Sequence, residues 1–136
     1  MLAEFVIPGE PHGKGRPRAT IVDGRARLYT PKKSADYEAE VRKAGAPHFG
    51  APLDCPVKLR IVAFFAMPKS WSKRKRAAMH GQFHTKRPDG DNVMKSIKDG
   101  LNGVAWRDDC QAADCRIVKR WSDHAETFVQ VGEAGA

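Results

Sequence analysis

The chain has 136 residues and a formal net charge of +8, with 41% hydrophobic and 29% charged residues. These proportions exclude a disordered chain, and the length predicts one domain, residues 1–136. The longest apolar run, Ile61–Met67, is too short to span a bilayer, Glu4 and Pro8 interrupt the place of a secretory signal, and three cysteines are too few for a disulfide scaffold. We therefore expect a cytoplasmic protein that does not contact membranes.

The N-terminal part of the sequence predicts a strand, a hairpin and a helix. The apolar segment Leu2–Ile7 is typical of a buried strand. The segment that follows is rich in Gly, Pro and Arg, and it predicts an ordered loop with a hairpin around Asp23-Gly24. Thr30 or Ser34 is expected to cap the next helix, which Gly45 ends.

The middle of the chain predicts a second strand and a short basic helix. Apolar and polar residues alternate over Val57–Phe65, which is the period of a strand, and Pro68 closes it. Ser70 or Ser72 then begins a helix that ends near Gly81.

The C-terminal part predicts one helix and two strands. Asp91 or Asn92 is expected to cap the helix, and Asn102-Gly103 ends it. Alternation over Ala113–Trp121 and Thr127–Val131 predicts two strands joined by a turn. The order β-α-β-(short α)-α-β-β predicts an α+β domain with a mixed sheet packed by helices.

Positive charge is concentrated in two stretches, residues 12–33 and 69–87, which we call the first and second basic windows. Together they hold 14 of the 24 Lys and Arg residues and 1 of the 16 Asp and Glu residues. Two positive surfaces on a mildly acidic body indicate a polyanion partner, although a basic face without a partner would show the same composition. Eleven basic residues of the windows are candidates for DNA contact: Lys14, Arg16, Arg18, Lys32, Lys33, Lys73, Arg74, Lys75, Arg76, Lys86 and Arg87.

Six aspartates fall within residues 88–114, directly after the second basic window. Clustered carboxylates repel one another and repel phosphate, and a divalent cation with oxygen ligands offsets that repulsion. Mg²⁺ held between carboxylates and a phosphodiester can activate water and neutralise the transition state. The alternative is that Asp91 only caps a helix and the other acids are solvated.

Several motifs resemble those of the RusA family of Holliday-junction resolvases, which are metal-dependent endodeoxyribonucleases. The resemblance runs from about residue 5 to about residue 131 and implies a RusA-like fold. Its motifs are Gly13–Arg18, Tyr29–Lys33, Pro68–Ser72, Pro88–Asn92 with Lys95, Asp99–Gly103 and Trp106–Gln111. Gly90 and Gly100 depart from the family pattern, and a glycine inside a helix predicts a less firm one.

The resemblance implies that Asp89, Asp91 and Asp109 bind Mg²⁺ and that Lys95 is the catalytic lysine near the scissile phosphate. Asp99 and Asp108 match recurring acids without a clear role. The resemblance also implies a homodimer whose two sites nick opposing strands of a four-way junction in recombination and repair. Such a dimer suits a substrate that is itself nearly two-fold symmetric.

Two other functions remain open at this stage. A non-enzymatic, basic DNA-binding protein needs only the basic windows, whereas carboxylates beside phosphate favour an enzyme. A metal-dependent nuclease acting on flaps or RNA has the same sequence features as one acting on junctions.

Overall fold

The computed structural model describes residues 2–135, which form a mixed four-stranded sheet, a separate hairpin and three helices. The strands are β1 (Leu2–Pro8), β2 (Arg18–Val22), β3 (Arg25–Tyr29), β4 (Val57–Ala66), β5 (Ala112–Ser122) and β6 (Glu126–Glu133). The helices are α1 (Lys32–Gly45), α2 (Lys73–Met79) and α3 (Gly90–Leu101), with 3₁₀ turns at Ala46–His48 and Asp109–Gln111. The predicted α+β class is confirmed.

The main sheet has the strand order β1-β6-β4-β5. Strand β6 pairs antiparallel with both β1 and β4, whereas β4 and β5 are parallel. The predicted turn after Ser122 does connect β5 with β6, but the two strands are not neighbours because β4 lies between them. No helix of residues 2–135 has the length and apolar character needed to cross a membrane.

Only one face of the sheet carries the core. Alternate residues of β4 are buried, from Val57 through Ile61 to Phe65. They pack in one cluster with the buried stripe of α3, which includes Val93, Ile97 and Leu101, as the 3.6-residue period predicts. Helices α1 and α3 lie against each other, and both contribute to this cluster.

Two predicted caps are wrong. Helix α3 begins at Gly90 with Asp89 as its N-cap, and the Val93 N–H donates to the Asp89 carbonyl at 3.1 Å. Helix α1 follows Pro31, and no side chain caps it. Ser34 lies in its first turn, where the buried hydroxyl accepts the Gly15 N–H at 2.8 Å. Ser72 does cap α2, by accepting the Lys75 N–H at 3.1 Å.

Gly100 lies where α3 crosses α1. A Cβ at this position would be 2.8 Å from the Val41 Cβ and 3.0 Å from the Glu38 carbonyl oxygen. Contacts this short would push the helices apart, so the glycine allows close packing. The cost in helix propensity is therefore offset by the approach of α1.

His84 is buried beside the C-terminal parts of β4 and β5. Its ring stacks on Phe65 with centroids 3.7 Å apart and meets the edge of Trp121 at 4.5 Å. Burial, followed by the positive charge of Lys119, lowers the pKa of His84 from 6.5 to about 4. The folded protein therefore holds this imidazole neutral.

We expect the free energy of unfolding to fall as the pH falls from 6.5 to about 4. The unfolded chain binds a proton at His84 more tightly in this window, and the loss amounts to roughly 2–3 kcal/mol. Urea unfolding of wild type and His84→Phe at a series of pH values measures it. The wild type should lose more stability than the variant, whereas His124→Gln, which changes an exposed histidine, should follow the wild type. Parallel pH profiles of wild type and His84→Phe would contradict this account.

Candidate nucleic-acid and metal site

Two carboxylates begin helix α3. Asp89 is the N-cap residue and Asp91 lies in the first turn, and both are exposed. The segment before them is held by Lys119, whose ammonium donates to the carbonyls of Lys86 and Pro88, each at 2.7 Å. Sequence analysis missed Lys119; the available signal was a lysine at an inward-facing position of β5.

Asp109 lies apart from Asp89 and Asp91. It begins a 3₁₀ turn just before β5, near the opposite end of α3, a helix about 18 Å long. The turn is anchored by Gln111, whose side-chain amide donates to the carbonyls of Leu53 and Cys55 at 2.9 and 3.1 Å. Asp89 and Asp91 are therefore neighbours, whereas Asp109 does not join them within one chain.

Asp108 has a local structural role. Its carboxylate accepts the Cys110 N–H at 3.1 Å, and this hydrogen bond lowers the pKa of Asp108. The Gln111 side chain in turn accepts the Asp108 N–H at 2.9 Å, which completes a capping box.

The Asp89–Asp91 pair has the donor chemistry for a divalent cation. Among residues 2–135, no three His, Cys, Asp or Glu side chains come together as a metal-binding group. Mg²⁺, however, commonly takes one or two carboxylates and fills its remaining positions with water and substrate phosphate. The pair therefore fits Mg²⁺ together with a phosphodiester, but the three-carboxylate set implied by the resemblance is not assembled.

Lys14 forms ion pairs with two acidic side chains in a largely buried position. Its ammonium, in a side chain only 13% exposed, lies 2.7 Å from a Glu38 carboxylate oxygen and 3.1 Å from one of Asp99. Burial opposes its charge, but the hydrogen bonds to the two acids outweigh burial and raise the pKa of Lys14. Lys95, 60% exposed, is 3.8 Å from the same Asp99 oxygen. Asp99 thus links the candidate catalytic lysine to a buried cation.

The first basic window lines two adjoining hollows, and Arg87 of the second window contributes to one of them. One, of about 610 Å³, lies against the start of α3 and is lined by Arg16, Arg87, Asp89 and Asn92 among others. The second, of about 630 Å³, is lined by Arg16, Arg18, Tyr29, Lys32 and Lys33 among others. Arg16 belongs to both, so a continuous basic surface leads to Asp89.

The β2–β3 hairpin extends the first window. Its turn has positive φ at Asp23 (52°) and Gly24 (74°), as the predicted hairpin requires. Every residue of both strands is exposed. By strand alternation, Arg25 and Arg27 share one face with Arg18, while Ile21 and Leu28 lie on the other.

Part of the second basic window forms helix α2. Lys73, Arg74 and Lys75 are exposed, and the Lys75 ammonium lies 4.3 Å from the centre of the Trp71 ring. Arg76 has internal partners instead, since it donates to the Pro68 carbonyl at 2.9 Å and lies 3.7 Å from Asp123.

Lys14→Met is expected to lower the free energy of unfolding by about 1–3 kcal/mol, because it leaves two partly buried carboxylates facing each other without a cation. Denaturant unfolding measures the change. Lys32→Met is the matched control, because Lys32 is 86% exposed and its pairing with Asp36 is worth well under about 1 kcal/mol. Equal effects of the two substitutions would show that the ion pairs of Lys14 do not stabilise the fold more than an exposed ion pair does.

Comparison with known proteins identifies the family to which the chain belongs. Residues 8–132 match the model of a family described as endodeoxyribonuclease RusA. The chain is also 33% identical over 138 aligned positions to the uncharacterized protein YqaN of Bacillus subtilis (strain 168), covering 98% of this chain and 97% of that protein. The extent of the family match confirms the resemblance seen in the motifs. The chain belongs to the RusA family of endodeoxyribonucleases.

Proposed function

We propose that this chain is a Mg²⁺-dependent endonuclease that resolves four-way DNA junctions by paired nicking as a cytoplasmic homodimer. The observation that carries the proposal is the hollow at the start of α3, where Asp89 shares one surface with Arg16 and Arg87. A protein that only bound DNA would gain nothing from a carboxylate beside the cations that hold phosphate.

Asp89 and Asp91 hold the cation in this proposal, and Asp109 remains a ligand implied by the family resemblance alone. When bound, Mg²⁺ supplies charge neutralisation and water activation at the phosphodiester. The free N–H groups of the first turn of α3 point toward the same region, where the positive end of the helix dipole favours an anion. The helix end and the arginines thus lie at the same hollow as Asp89, which together with Asp91 would hold the cation.

Lys95 stabilises the negative charge that develops on the phosphate. Its side chain is exposed, and Asp99 lies one helical turn away at 3.8 Å, which limits the directions that the ammonium can take. Hydrolysis forms a bond between the water oxygen and phosphorus and breaks the bond from phosphorus to the 3′ oxygen. The products are a 5′-phosphate and a 3′-hydroxyl, the ligatable ends that the resemblance implies.

Binding is selective for DNA structure in this proposal. The residues that line the two hollows offer guanidinium and ammonium groups to phosphates and few aromatic rings for stacking bases. A surface of this kind recognises the arrangement of backbones at a branch.

Asp91→Asn should abolish cleavage of a synthetic four-way junction in Mg²⁺ while binding of the junction is kept or strengthened. The exchange is nearly isosteric, but it removes half of the carboxylate pair and one charge that repels phosphate. Gel analysis of nicking and a binding assay in Ca²⁺ or EDTA measure the two effects. Lys95→Ala should lose turnover without losing the bound metal.

The outcomes separate the competing functions. Wild-type cleavage by Asp91→Asn would remove Asp91 from the metal site. Absence of wild-type cleavage with intact junction binding would favour the non-enzymatic alternative. Faster cleavage of flaps or RNA than of junctions would change the substrate and leave the metal site unchanged.

Replacing Arg16 and Arg18 by Ala should flatten the dependence of junction affinity on salt. Each lost phosphate contact reduces the log–log slope by about one unit. The same double substitution should leave sequence preference unchanged, since these residues face phosphates in the proposal. Titrations at several salt concentrations measure the slope, and an unaltered slope would exclude both arginines from the DNA surface.

A further inference from the structure

The main sheet has a second face that the helices leave open. Strand residues that point away from α1 and α3 include Val6 and Phe128, which are 39% and 43% exposed, and the partly buried Val62 and Val118. The segment near Phe83 reaches one edge of this face, where the Arg120 guanidinium lies 4.6 Å from the Phe83 ring. Hollows of about 460 and 430 Å³ lie on the same face.

The register of the sheet arranges this open face in rows. Val6, Phe128, Val62 and Val118 are direct cross-strand partners and form an apolar row across all four strands. The row beside it consists of Glu4, Gln130, Arg60 and Arg116. Phe64, one row further, meets Phe128 edge-on with ring centroids 5.6 Å apart. An apolar strip of this kind is the common core of a sheet-on-sheet interface.

The two halves of the open face carry opposite charge. Strands β1 and β6 contribute Glu4 and Glu126, whereas β4 and β5 contribute Lys58, Arg60, Arg116 and Arg120, with Asp114 as the one acid. Glu4 is hydrogen-bonded only to the neutral Gln130 amide, at 2.9 Å, and Arg116 has no ion-pair partner among the described residues. Two opposite charges without an ion-pair partner among the described residues therefore lie at opposite edges of one row.

We propose that the open sheet face binds a second copy of this chain, with a two-fold axis parallel to the strands. This rotation places β1 of one copy over β5 of the other at the same level along the strands. Glu4 then faces the partner's Arg116, and Phe128 faces the partner's Val62. Each contact occurs twice, as a two-fold interface requires.

A second copy fits this face better than DNA does. The apolar row offers nothing to phosphates, and Glu4 and Glu126 would repel them. Opposite charges on the two halves match a rotated copy of the same surface.

The inference rests on the proposed homodimer and gives it a geometry. Asp89 lies beside the C-terminal half of β5, since Lys119 of that strand bonds the carbonyl of the preceding Pro88. Rotation about an axis parallel to the strands leaves both Asp89 sites at the same end of the dimer. One junction lying on that end could reach both sites.

The test uses two charge reversals, Glu4→Lys and Arg116→Glu, singly and mixed. Each homodimer would place like charges together at two contacts, so we expect its dissociation constant to rise about tenfold or more. In a one-to-one mixture, every contact again joins opposite charges, and dimers should reappear. Sedimentation at micromolar concentration distinguishes the dimer from the 15.1 kDa chain. Glu40→Lys and Lys43→Glu, exposed on α1, are matched controls that should remain dimeric.

The recovery in the mixture excludes misfolding as the cause of dissociation. A monomeric wild type, single variants whose dissociation constant is unchanged or a mixture that recovers no affinity would each overturn the inference. So would loss of junction affinity in Arg116→Glu with an unchanged mass, since the face would then bind DNA. Junction cleavage by the wild type is measured separately, so a dimer without cleavage would support this interface while contradicting the proposed function.

Discussion

The ammonium of Lys14, held between the carboxylates of Glu38 and Asp99, joins the three parts of the molecule that build the candidate site. Glu38 belongs to α1, Asp99 to α3, and Lys14 to the loop before the hairpin. The backbone of Lys14 also contacts α3, because its N–H donates to the Asn92 carbonyl at 3.0 Å. A side chain on the neighbouring Gly13 would lie 2.8 Å from the Pro88 Cβ, so the loop can approach the start of α3 only without one. The basic loop is thereby placed against Asp89.

The two faces of the main sheet have different roles in this arrangement. Its inner face packs the helices that position the carboxylates, and the strands at their C-terminal ends place Lys119 under the segment before Asp89. Its outer face contributes nothing to the core of one chain. Within residues 2–135, helices α1 and α3 leave this face uncovered, and the apolar row across it is a physical reason for assembly.

Most of the fold follows from local patterns in the sequence. Alternation over β4 and the apolar stripe of α3 predicted their inward residues, and Asp23-Gly24 predicted the hairpin turn, since these signals depend on nearby residues only. The start of α3 was placed two to three residues late because Asp, Asn and Gly all tolerate cap positions, and the choice depends on backbone contacts. The position of β4 between β5 and β6 is a long-range pairing that has no local signal.

The candidate site was predictable in part. A motif locates Asp89, Asp91 and Lys95 along one helix, but it does not measure the distance to Asp109, which depends on where the chain returns after α3. Composition likewise assigned Lys14 and Arg76 to the DNA surface, although both have internal partners. Whether a basic residue is free to contact DNA or forms ion pairs inside the protein depends on its neighbours in three dimensions. The sequence order does not specify those neighbours.

The β2–β3 hairpin has a consequence for how the surface responds to its substrate. Within the described residues 2–135 its strands pair only with each other, and Ile21 and Leu28 are 78% and 74% exposed. A two-stranded ribbon without a packed face is marginally stable, so its amide hydrogens exchange with solvent at a far lower free energy than those of the main sheet. In the proposed function, this mobility lets Arg25 and Arg27 follow DNA backbones of different branch angle while the buried core that holds Asp89 keeps its geometry.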